Sequence, residues 1–140
     1  MSYEVFSHDW AVACGEQINE NEDYRHAAKN WEWPLVLTMV ADSKLGVPER
    51  SVYLDLFHGD CREARAAAAA DLEGVPYIIS ADPYTWKRVL ERDLEPIFGL
   101  IRGKLKLAKG SLVPLLPYTT AAKEMVLSAA CVDTRFPAGV

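Results

Sequence analysis

The sequence predicts a two-layer α+β domain in which a mixed sheet of about five strands is covered by helices on one face. Three observations carry that prediction. The 140 residues, half of them hydrophobic and a quarter charged, have the composition of one globular domain. Short β-branched apolar runs and one alternating run are interleaved with segments whose apolar residues recur at three and four positions. No internal repeat divides the chain. At this length a domain buries roughly two thirds of the surface its unfolded form exposes, so it needs no disulfide or structural metal.

Taken in order, Ser7 reads as the N-cap of a first helix that carries Trp10, Cys14 and Ile18 on one apolar stripe. A short second helix is predicted over 23–29. Residues 33–40 are almost continuously apolar with β-branched members, which predicts a buried strand with Pro34 at its start or edge. After a loop over 42–50, a strand at 51–57 leads through the turn signal His58-Gly59-Asp60 into an antiparallel return over 61–66, of open register. The five alanines at 66–70 favour helix by propensity yet follow a strand, and the boundary stays open there.

Tyr77-Ile78-Ile79 predicts a fourth strand, and Asp82-Pro83 supplies an N-cap and a first-turn proline for a helix carrying Trp86, Val89 and Leu90. Leu94, Ile97, Phe98 and Ile101 repeat that spacing in a further helix that ends at Gly103. Residues 104–108 alternate, with Leu105 and Leu107 toward a core and the lysines toward water. Pro114 and Pro117 delay the last helix until about Tyr118, and Ala122, Met125 and Ala129 mark its inner face. The domain is expected to span 1–132, with a frayed tail over 133–140.

Charge and cysteine content exclude several functions. The net charge of −5 argues against a general nucleic-acid binder. Residues 1–32 hold seven acids and two bases, so the remainder is balanced, and within it Arg102, Lys104, Lys106 and Lys109 form a local basic run. That run suits a solvated strand face and a helix C-terminus. It also suits contact with the headgroups of an anionic membrane or the phosphates of an acyl thioester. Cys14, Cys61 and Cys131 have no paired spacing, which fits reduced thiols. No uninterrupted apolar run is long enough to span a bilayer, and the opening residues lack the basic start and apolar stretch of a secretory signal. The expected location is cytoplasmic.

Catalytic and cofactor motifs fail on inspection. Gly99 to Leu105 is one residue short of a phosphate loop and has leucine where a hydroxyl must meet magnesium. His8, His26 and His58 are too scattered to suggest a metal site, so neither metal nor cofactor is expected. His58, Asp60 and Cys61 could form a thiol–imidazole pair, although a polar turn beside a half-buried cysteine is the plainer reading. The most informative excess is apolar: thirteen large apolar residues lie between Ile97 and Leu127. From composition alone a core is the plainer use of them, and the alternatives are a cavity wall or a dimer interface.

The residues also resemble a family. Phe6-Ser7-His8-Asp9-Trp10, Ile18-Asn19, Tyr24, Ala27-Ala28 and Trp31-Glu32 are similar to the leading helices of the sterol carrier protein type of sterol-transfer domain, in its small prokaryotic form. Val52-Tyr53-Leu54-Asp55-Leu56 with Gly59 resembles its hairpin. The most specific likeness is Trp86-Lys87-Arg88-Val89-Leu90, Leu94-Glu95-Pro96, Gly103-Lys104-Leu105-Lys106-Leu107 and Lys109-Gly110. The likeness runs from about Phe6 to Leu127. It implies a hydrophobic tunnel that binds fatty acids, acyl thioesters, phospholipids or sterols without covalent chemistry. Residues 111–117 are richer in leucine and proline than that pattern, and the chain ends without the peroxisomal signal of eukaryotic members.

On this reading the protein is a non-enzymatic lipid carrier. Phe98, Ile101, Leu105, Leu112, Leu116 and Met125 are the expected tunnel lining, and the flexible methionine suits guests of varied shape. The second reading is an interaction or homodimerisation module of the same fold with a filled core.

Overall fold

The computed structural model describes residues 2–140. Helix α1 (His8–Asn19) starts where Ser7 Oγ accepts the Trp10 N–H, and buries Trp10, Cys14 and Ile18 as the periodicity predicts. Helix α2 (Glu22–Ala27) is capped by Asn21, whose Oδ1 accepts from the Tyr24 N–H. Strand β2 (Leu35–Met39) is buried at every position, which is why its sequence reads as a continuous apolar run.

Strands β3 (Arg50–Phe57) and β4 (Asp60–Ala66) form the expected hairpin. His58 and Gly59 both adopt positive φ, the geometry of a tight turn matched to strand twist. The register left open by the sequence is set by a bulge: Leu56 pairs with Cys61 and Asp55 with Glu63, so Arg62 is the extra residue. Cys61 therefore shares the inner face with Leu56, while Arg65 lies opposite Tyr53 on the outer face.

The alanine run divides between β4 and helix α3 (Ala69–Gly74), which leads to β5 (Tyr77–Ala81). Helix α4 (Pro83–Leu90) begins at the predicted Asp82 cap. Helix α5 (Pro96–Ile101) begins at Glu95, whose carboxylate accepts from the N–H groups of Ile97 and Phe98. Strand β6 (Lys106–Lys109), a 3₁₀ segment (Val113–Tyr118) and helix α6 (Thr119–Ala130) follow.

The sheet order is β4-β3-β2-β5-β6, with only β2 and β5 parallel, so the sheet is mixed. Its inner face carries Leu35, Leu37, Val52, Leu54 and Leu56 into the core formed with the helices. Helix α3 runs over the opposite face. Its Asp71 is held by Arg65 of β4, and its last carbonyls, on Leu72 and Glu73, accept from Lys109 Nζ of β6. Beneath it Val36 is fully buried.

The tail corrects the sequence reading of a frayed end at 133–140. Strand β7 (Thr134–Arg135) pairs in parallel with β1 (Tyr3–Glu4). Thr134 Oγ1 accepts the indole N–H of buried Trp10 at 2.9 Å, and Lys87 Nζ donates to the Val140 carbonyl. A buried indole N–H must find an acceptor, and the tail supplies it.

Candidate functional site

Two apolar hollows lie between the inner face of the sheet and α6. The first is lined by Leu35, Leu56 and Ile79 from the sheet, by Tyr24, Ala28 and Trp31 from α2 and its exit, and by Ile97, Leu115, Tyr118 and Met125. The second runs deeper, past Leu37, Leu54, Leu105 and Cys14 toward Phe6, Trp10 and Trp86. Ile79, Ile97, Ala122 and Met125 belong to both linings, so the hollows adjoin across these side chains. Each has a volume of ≈ 60 Å³. That is room for a few water molecules at about 10–15 Å³ apiece.

The walls are positioned by ordinary packing and a few polar ties. Asn21 Nδ2 donates to the Glu124 carbonyl and to Ser128 Oγ, fastening α2 to α6. The Trp31 indole N–H donates to the Trp33 carbonyl, and its ring stands edge-on to Tyr118 at 4.9 Å. Trp86 donates its indole N–H to the Thr38 carbonyl, fixing α4 against β2. Neither lining contains an acid, a base or a histidine. Burial pushes the Cys14 thiol up to about 12 and raises the Tyr24 phenol as well, so both stay neutral at neutral pH.

Of the six residues expected to line a tunnel, Leu105 and Met125 face the hollows. Leu112 is corrected: it is half-buried and belongs to neither lining. Phe98, Ile101 and Leu116 are corrected, because all three are exposed. Helix α5 is too short to carry a broad stripe: it turns Ile97 inward, below the buried Leu94 that precedes its cap, while Phe98 and Ile101 face out. In the 3₁₀ segment, three residues per turn align Leu112, Leu115 and Tyr118 on one side and Val113 and Leu116 on the other. The two prolines three apart were the available signal for that period, and it selects Leu115 in place of Leu116.

The basic run is not one patch. Lys109 is engaged by the α3 carbonyls, and Lys106, paired with Ser80, faces the outer side of the sheet. Arg102 and Lys104 remain exposed beside α5, with the Arg102 guanidinium over the Phe98 ring. The thiol–imidazole pair does not assemble. His58 Nδ1 donates to the Lys29 carbonyl, while the Cys61 thiol donates to the Glu63 carbonyl and is pushed up to about 12 by burial. No cluster of metal-ligating side chains occurs among the described residues.

A mixed sheet roofed by helices over an apolar, uncharged interior defines a small two-layer α+β domain. No protein-family model matches the sequence, and no curated protein matches it either. Solved structures do. The chain is 44% identical to a sterol carrier protein 2, with 92% of this chain and 99% of that one covered at a TM-score of 0.83. It is 42% identical to a conserved hypothetical protein of Thermus thermophilus whose description suggests a sterol carrier protein, covering 96% and 94% at 0.84. Sterol carrier protein 2 of Yarrowia lipolytica, at 13% identity over 90% and 98% of the two chains, shares the fold at a TM-score of 0.56.

The chain belongs to the sterol carrier protein 2 family, a family of lipid-binding and lipid-transfer domains. No helix among the described residues is long and apolar enough to cross a membrane.

Proposed function

We propose that the protein is a non-catalytic intracellular carrier that holds the hydrocarbon part of a lipid between its sheet and α6. The guests are fatty acids, acyl thioesters, phospholipids or sterol-like molecules. The observation that carries this reading is the pair of apolar hollows that share a wall of Ile79, Ile97, Ala122 and Met125. Each methylene moved out of water into such a site contributes about 0.8 kcal/mol, so a long chain is held without polar anchors. An ionised carboxylate or phosphate finds no counter-charge on either lining, and its head therefore stays at the mouth.

At ≈ 60 Å³ each, the resting hollows are narrower than a site that encloses a whole lipid. Uptake therefore needs the shared wall to move. Met125 is the side chain suited to that, since its unbranched thioether turns about three bonds and repacks against either state. Loose selectivity among hydrocarbon guests follows. The free, largely buried thiols fit a reducing compartment.

The test is mass spectrometry under native conditions after exposure to a mixed lipid extract. One lipid per folded chain, released with its own mass unchanged, is the expected result. A folded protein that retains no lipid from a saturating extract overturns the carrier reading and leaves the interaction module of the same fold.

A further inference from the structure

Seven large hydrophobic side chains are exposed among the described residues, and four of them lie on two short segments. Phe98 and Ile101 of α5 are 49% and 56% exposed, and Val113 and Leu116 of the 3₁₀ segment are 74% and 41% exposed. These two segments also supply the inward-facing Ile97, Leu115 and Tyr118 of the first hollow, so they form two sides of its rim. Trp33, a fifth exposed side chain, stands against Trp31, which in turn touches Tyr118. Exposed apolar side chains thus border an apolar interior.

The charge around that rim runs against the charge of the whole chain. Residues 96–123 contain five Lys or Arg and no Asp or Glu, while the full sequence carries a net −5, which leaves −10 on the rest. Arg102 and Lys104 are exposed directly after α5 and form no salt bridge with a carboxylate among the described residues. A protein of this net charge is repelled overall by an anionic surface, and leading with this segment opposes that repulsion.

We propose that the α5–3₁₀ rim is a membrane-docking surface that inserts Phe98, Ile101, Val113 and Leu116 into an anionic bilayer while Arg102 and Lys104 meet its headgroups. This rests on the carrier reading for its purpose, because docking this rim points the first hollow at the lipid. Apolar side chains that breach the headgroup layer, flanked by cations, form a two-part anchor whose electrostatic half is screened by salt. Such an anchor is reversible, as delivery requires.

The test compares co-sedimentation of the protein with phosphatidylglycerol–phosphatidylcholine vesicles and with pure phosphatidylcholine vesicles. Tighter binding to the anionic vesicles, weakened by salt, is expected. F98S combined with I101S, and separately R102E combined with K104E, should each weaken that binding by roughly fivefold or more. Both double variants should keep the circular dichroism of the parent and its affinity for a fluorescent fatty acid in vesicle-free buffer. Equal binding to both vesicle types, or anionic binding untouched by either double variant, overturns the proposal. Loss of the apolar patch into a dimer, seen by sedimentation and abolished by F98S with I101S, overturns it in favour of a second copy. A protein that docks as predicted yet takes up no fatty acid refutes the carrier reading and leaves the docking surface standing.

Discussion

Met125 sits where the two hollows meet, and a substitution there separates volume from folding. Replacing it with tryptophan fills the shared wall, at a cost of about 1–3 kcal/mol from overpacking, with the fold kept. Gly59 is the opposite case, a residue needed for folding alone. Its φ is +87°, and a Cβ placed on it would lie 2.5 Å from the Arg25 carbonyl oxygen. Gly59→Ala should lower stability by roughly 2 kcal/mol or more in thermal melts, because strain and clash add. At this scale the sequence was readable wherever the cause was local. Ser7 and Asp82 cap their helices because a short side-chain oxygen reaches an N–H two or three residues on. Phe98, Ile101 and Leu116 were not readable, because the buried face of a six-residue segment depends on what it packs against.

Helix α3 shows what a polar latch contributes at the scale of an element. Hydrogen bonds from Arg65 and from the Ala68 N–H hold the Asp71 carboxyl down at about 2, below its usual 3.8. A carboxyl lowered in the folded state contributes stability above its unfolded value and loses that contribution as pH falls toward the folded one. The wild type should therefore lose stability between pH 3.8 and about 2 in urea titrations, and Asp71→Asn should lose less over the same interval. The tail makes a second prediction. Deleting residues 133–140 removes the acceptors of the Tyr3 and Val5 N–H groups and strands the Trp10 indole N–H, so the melting curve should report a loss of about 2 kcal/mol or more. Tail order was hidden from the sequence because the partner of Thr134 is Tyr3, 131 positions away.

For the whole molecule, alternation and caps predicted the layers and the order of elements, and the structure bears out the mixed five-stranded sheet. The parallel union of β2 with β5 was beyond local reading, since it needs α3 to carry the chain across the outer face. The interior follows from that architecture. Helix α6 covers the inner face with small residues, Ala121, Ala122 and Ala129, alongside Met125 and Val126, and a roof of small side chains over a leucine floor leaves unfilled space. The surplus of apolar residues between Ile97 and Leu127 is thus divided, with Ile97, Leu105, Leu115 and Met125 walling the hollows and Phe98, Ile101, Val113 and Leu116 on the rim.

Titration of a fluorescent long-chain fatty acid into vesicle-free protein, wild type beside Met125→Trp, bears most directly on whether that space holds a guest. The account predicts saturable uptake of one guest per wild-type chain and an affinity lower by about tenfold in a variant that still unfolds cooperatively, equivalent to about 1.4 kcal/mol. Uptake that never saturates, or one affinity shared by both proteins, would contradict it.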